Sequence, residues 1–86
     1  MEHGFNTDLL VMGQNYHVQT EDWGSEAAVI VTRIFKSGAV LKTFRKSYVD
    51  LLRTGHRDPK AALRLALAEQ HQEILDQLAR GELTIG

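Results

Sequence analysis

The chain contains no cysteine, which removes disulfides, thiolate metal sites and a thiol nucleophile from consideration at once. It has a single proline, at 59, and a single tryptophan, at 23. No stretch approaches the roughly 18 consecutive apolar residues of a membrane-crossing helix, and acidic Glu2 precedes no apolar run of signal-peptide length. A soluble, cytoplasmic protein is therefore expected. Charge of one sign is also lacking: ten Lys and Arg against eleven Asp and Glu leave a net charge of −1, without the basic excess of a non-specific nucleic-acid binder. No glycine-rich phosphate loop, serine nucleophile elbow or paired-histidine helix motif occurs. Neither enzymatic activity nor a cofactor or metal is expected.

What is present fits one small domain. A chain of 86 residues buries only roughly 60–65% of its unfolded surface, so the core is thin and an oligomer interface would be a natural supplement. The apolar period changes near residue 46, from close to two to close to 3.6. This predicts an α+β fold: a four-stranded antiparallel sheet from two β-hairpins, then a short helix and a long C-terminal helix packed on one face.

The first hairpin is expected over 5–22, with a type II′ turn at Gly13-Gln14. That register pairs Val11 with Tyr16, Leu9 with Val18 and Thr7 with Thr20 on an apolar face, and sets Leu10, Asp8 and Asn6 opposite His17, Gln19 and Glu21 on a polar one. The second is expected over 27–46, with a three-residue turn at Lys36-Ser37-Gly38 pairing Ile34 with Val40 and Ile30 with Phe44. A two-residue Ser37-Gly38 loop is the competing register, disfavoured because it sets Arg33 opposite Lys42. Ser47 caps a short helix over 47–54, and Asp58-Pro59 starts a helix over 59–80 that stops at Gly81. On that helix Leu63, Leu67, Ile74 and Leu78 form an apolar stripe that also contains Gln70 and His71, while Leu65, Ala61, Ala68 and Ala79 make a weaker second strip.

Several groups are candidates for function. His17, Gln19 and Glu21 share the polar face of one strand, but residues two apart on a strand lie about 7 Å apart, too far to share one metal ion unaided. The ordinary alternative is a solvated or dimer-facing sheet side. His71 is expected as a core histidine with a hydrogen-bond partner more than as a ligand. Trp23 either closes the end of the core or anchors an interface. Arg33, Lys36, Lys42, Arg45 and Lys46, interleaved with Phe35 and Phe44, have the ingredients of a single-strand nucleic-acid platform, against which stands the role of lysine-rich strands in resisting edge pairing.

Tyr-His-Val-Gln-Thr-Glu-Asp-Trp-Gly at 16–24, Thr32 through Gly38 to Val40, Tyr48, and Gln70-His71 followed by Gly81 resemble a family of small uncharacterised bacterial domains, found alone or joined to signalling domains. The resemblance covers about residues 5–83 and implies no reaction or cofactor. It implies that His17, Gln19, Thr20, Glu21, Gln70 and His71 belong to a family pattern. The resulting expectation is a non-enzymatic protein-interaction or regulatory module, homodimeric, with His17, Gln19, Glu21, Trp23, Gln70 and His71 as candidate interaction residues. The alternatives are a small-ligand or metal-binding domain using His17 and His71, and a nucleic-acid binder using the second hairpin.

Overall fold

The computed structural model describes residues 4–24, 26–50 and 57–83. Four antiparallel strands, β1 (Gly4–Val11), β2 (Gln14–Asp22), β3 (Val29–Lys36) and β4 (Ala39–Ser47), pair in sequence order, so the sheet is a continuous meander. One helix, α1 (Pro59–Ala79), crosses one face and contacts β1, β2 and β3. This is the expected α+β arrangement of four-stranded sheet and C-terminal helix. Of the short helix expected over 47–54, residues 51–54 lie outside the described residues; Val49 and Asp50 are helical, and the Val49 amide donates to Ser47 Oγ at 3.3 Å. No described helix is long and apolar enough to cross a membrane.

Both expected registers require correction. In the β1–β2 turn, Met12 and Gly13 both take positive φ, 50° and 79°, which is a type I′ rather than a type II′ turn. Leu9 consequently pairs with Tyr16, Thr7 with Val18, Asp8 with His17 and Asn6 with Gln19. This is a slip of two residues from the expected pairing. A two-residue slip leaves every side chain on its own face, so hydrophobic alternation cannot detect it.

The β3–β4 turn repeats the geometry, with φ of 52° at Ser37 and 82° at Gly38, and the two-residue loop prevails over the three-residue one. The like-charge pairing that argued against it does not arise. A bulge between Ile34 and Phe35 moves Lys42 opposite Ile34 and Thr43 opposite Arg33. Strand β3 begins at Val29 rather than 27, because Ala28, at φ 51°, closes a turn in which its amide donates to the Gly24 carbonyl at 2.7 Å.

The helix follows its expected signals closely. Asp58 Oδ1 accepts from the Ala61 amide, Pro59 occupies the first turn, and Gly81 takes φ 71°. The Gly81 amide donates to the Leu78 carbonyl and the Glu82 amide to that of Gln77, the paired bonds of a Schellman stop. The face turned to the sheet carries Leu67, Gln70, His71, Ile74 and Leu78, all buried. Leu67 joins Ala28, Ile30 and Tyr48 in one apolar cluster, and Ile74 and Leu78 join Val18 and Ile34 in a second. Gln70 and His71 fall between the two.

Candidate functional site

The two faces of the sheet do different chemistry. On the helix side, three threonines stand where β-branched apolar residues would otherwise go. Thr20 and Thr32 are directly paired across β2 and β3, fully buried, with their hydroxyl oxygens 2.8 Å apart. Gln70 Nε2 donates to Thr32 Oγ1 at 2.9 Å, and His71 Nδ1 lies 2.7 Å from Thr20 Oγ1. His71 Nε2 reaches Thr7 Oγ1 at 2.8 Å, and the imidazole stacks on Phe5 with ring centroids 5.5 Å apart.

The Gln70 amide donates to Thr32, and each threonine hydroxyl can donate or accept, so a neutral imidazole in either tautomer satisfies the chain Thr32–Thr20–His71–Thr7. Burial, and secondarily the positive charge His17 can carry, hold the His71 pKa below the ordinary histidine value. Gln70 Oε1 is buried without a hydrogen-bond partner among the described residues. The network is a polar band between two apolar clusters, and it fixes the helix lengthwise on the sheet because an axial slide would leave several buried hydroxyls unpaired.

The opposite face is covered by no described element. Across it run three rows in register: Asp8, His17, Phe35 and Val40; Asn6, Gln19, Arg33 and Thr43; Gly4, Glu21, Val31 and Arg45. His17 Nδ1 is 2.9 Å from Asp8 Oδ1, its Nε2 is 3.2 Å from Asn6 Oδ1, and its ring lies against Phe35. Both imidazole nitrogens are thus held by the neighbouring strand. An open cleft of about 580 Å3 lies here, lined by residues that include Asp8, Asn15, His17, Gln19, Phe35 and Ser37.

Trp23 belongs to this face too. Its amide donates to the Val29 carbonyl, and the following Gly24, at φ 95°, turns the chain. The indole N–H donates to Glu21 Oε1 at 3.2 Å, and the Arg33 and Arg45 guanidinium carbons lie 5.2 and 5.8 Å from the ring centroid. Arg33 also approaches Glu21, at 3.9 Å. Val31, paired with Glu21 and Arg45, is 1% exposed although it lies on the side away from the helix. Leu10 and Val40 are 66% and 50% exposed on the same side.

The six candidate residues therefore separate. His17, Gln19, Glu21 and Trp23 lie on the open face; Gln70 and His71 lie beneath the helix, with the sheet between them and His17. The five basic residues separate as well, Arg33 and Arg45 to the open face and Lys36, Lys42 and Lys46 to the register positions of the other. Among the described residues no three His, Asp or Glu side chains converge where they could hold a metal ion. Sequence reasoning did not join Thr7, Thr20 and Thr32 to Gln70 and His71. The signal was there, since two polar residues inside an apolar helix stripe require polar partners on the sheet they cover. The chain matches no family model, no curated protein and no solved structure.

Proposed function

We propose that this chain is a non-enzymatic interaction module of a bacterial cytoplasmic regulatory system, acting as a homodimer through the open face of its sheet. The observation that carries the reading is the composition of that face. It presents an exposed tryptophan, Phe35, Leu10 and Val40 together with two carboxylates and two guanidinium groups, while the buried polar network accounts for the helix side. Aromatic and Arg side chains are the types enriched where interfaces concentrate their energy. The thin core of a chain this short gives a further reason to bury apolar surface against a partner.

Sedimentation equilibrium across the micromolar range tests it. A monomer–dimer equilibrium, with amide shifts on dilution confined to β1–β4 residues of the open face, is the expected result. A monomer at every concentration overturns the homodimer.

The cleft beside His17 supports a second reading, a small planar ligand with hydrogen-bonding edges lying against Phe35 and bonded by Gln19, Asn15 and the His17–Asp8 pair. Titration with a metabolite panel, read at the His17 and Phe35 resonances, separates the two. Saturable shifts there without dimer formation would favour the ligand.

A further inference from the structure

Charge is partitioned along the chain in a way that the net value conceals. Residues 1–26 carry Glu2, Asp8, Glu21, Asp22 and Glu26 and no Lys or Arg; residues 27–49 carry Arg33, Lys36, Lys42, Arg45 and Lys46 and no Asp or Glu. Because the strands pair in sequence order, this linear division becomes a lateral one. Strands β1 and β2 form an acidic half of the sheet and β3 and β4 a basic half. On the open face the carboxylates are Asp8 and Glu21 and the guanidinium groups Arg33 and Arg45.

We infer that two copies of this chain pack open face to open face about a two-fold axis parallel to the strands, so that the acidic β1–β2 half of each sheet lies on the basic β3–β4 half of the other. The inference rests on the homodimer reading and specifies its geometry. A two-fold axis between two facing sheets must lie in the plane between them. Set across the strands, it would place β2 on β2 and β4 on β4, so that the acidic half of each sheet lies over the acidic half of the other and the basic half over the basic. Set along the strands, it exchanges left for right and places β1 over β4 and β2 over β3 of the second copy. Like charges opposed across an interface suppress association, and opposed charges of unlike sign steer and fix it.

Row by row, Gln19 faces Arg33 of the second copy, His17 its Phe35 and Asn6 its Thr43, while Asp8, Glu21 and Arg45 face Val40, Val31 and Gly4. Unlike charges are thus opposed by halves of the sheet and not in direct pairs. Facing sheets of this kind pack with their strands inclined by about 30°. The footprint suits a modest dimer: four strands at about 4.8 Å spacing and eight residues at about 3.3 Å give roughly 500 Å2 per copy. That is near the lower limit of specific interfaces, roughly 600 Å2 of accessible surface per partner. Such an interface depends strongly on its charges.

Two uniformly charged variants test the charge partition. Arg33→Glu with Arg45→Glu makes the open face acidic throughout, and Asp8→Lys with Glu21→Lys makes it basic throughout. Each alone is expected to dimerise about 100-fold more weakly at low salt. An equimolar mixture is expected to regain a dimer containing one copy of each. Unfolded chains would not regain it, so misfolding cannot imitate the result.

The axis is tested separately on the native charges, using the absence of cysteine from the chain. A bifunctional maleimide with a spacer of about 8–10 Å should join Asn6→Cys to Thr43→Cys across sheets packed about 10 Å apart. It should not join Asn6→Cys to itself, since three further strand spacings of about 4.8 Å separate those two positions. A wild-type monomer removes the homodimer itself. A wild-type dimer that survives either charge variant, or that cross-links through Asn6→Cys alone, leaves the homodimer standing and overturns this geometry.

Discussion

Thr20 Oγ1 and His71 Nδ1 lie 2.7 Å apart although 51 residues separate them in the chain. This contact ties the centre of β2 to the centre of α1, and every other bond of the buried network leads to it. A neutral histidine bonded at both nitrogens by hydroxyls is unusual cargo for so small a core. Its value is positional, since apolar contacts alone would tolerate a helix shifted by one turn.

Removing the imidazole should therefore cost more than its apolar area. His71→Ala leaves Thr7 and Thr20 each short of a partner and a gap beneath Phe5, and is expected to destabilise by roughly 2–4 kcal/mol in urea unfolding. The neighbouring pair offers an internal control. Gln70→Leu alone takes one of the two side-chain partners of Thr32, which keeps Thr20, and removes the unpaired Gln70 Oε1. Adding Thr32→Val removes the other member of the pair but takes Thr32 from Thr20, which keeps His71. The double variant should recover part of the single variant's loss, because replacing both members of a buried polar pair is close to neutral while leaving one short of a partner is not. An equal or larger loss in the double variant would show that the pair is net stabilising in itself.

Acid should loosen the fold through the same residue. The folded chain holds His71 below the unfolded value of 6.5, so between the two values the unfolded chain binds the extra proton. Stability from this group is thus complete above about pH 6.5 and is lost as pH falls towards the lowered folded pKa. Denaturant midpoints measured from pH 8 down to pH 5 should decline, and His71→Gln should flatten that part of the profile. Burial is the larger cause of the lowered His71 pKa and the charge of His17, across the sheet beside Asp8, the smaller, so Asp8→Asn should leave most of the His71-dependent slope in place.

How much of this was legible in the sequence depends on the scale of the question. The division of β2 into an inward Tyr16–Val18–Thr20 set and an outward His17–Gln19–Glu21 set follows from period two alone, and the structure keeps it. The ends of α1 were legible because Asp58, Pro59 and Gly81 act locally. Registers were not, because they depend on which residues accept positive φ, and neither Met12 nor Ser37 announces that it will. Nor was the bulge beside Phe35, which relieves the Arg33–Lys42 conflict by a means that residue-by-residue pairing does not include. The position of Trp23 was illegible for a different reason: it comes from the turn at Gly24 and from two arginines on later strands.

The turn at Met12 invites a direct stabilisation. Met12 is 94% exposed and sits at φ 50°, so its side chain contributes almost no packing while its backbone is held where asparagine is far more at ease. Met12→Asn gives the Asn-Gly pair favoured in type I′ turns and is expected to stabilise by about 0.5–1 kcal/mol. In a domain of this size that corresponds to a rise of a few degrees, roughly 2–8 °C, in thermal midpoint. A fall would mean that the loop is not in the type I′ conformation.

The single tryptophan makes the open face observable without labelling. Trp23 is 42% exposed, with its indole N–H on Glu21 and two guanidinium groups over the ring. Association through this face removes water from the indole, so emission should shift to shorter wavelength as concentration rises through the dimer range. The shift should reverse as salt is raised from about 0.1 to 1 M, which shortens the screening length from about 10 to 3 Å. Trp23→Ala removes one exposed ring and two cation–π contacts, at a cost to the isolated fold of about 1–2 kcal/mol. It should weaken dimerisation by at least tenfold, as expected of an aromatic anchor. Emission independent of concentration, alongside a dimer seen by sedimentation, would place the interface away from Trp23 and favour the strip around Leu65 on α1, which is 60% exposed.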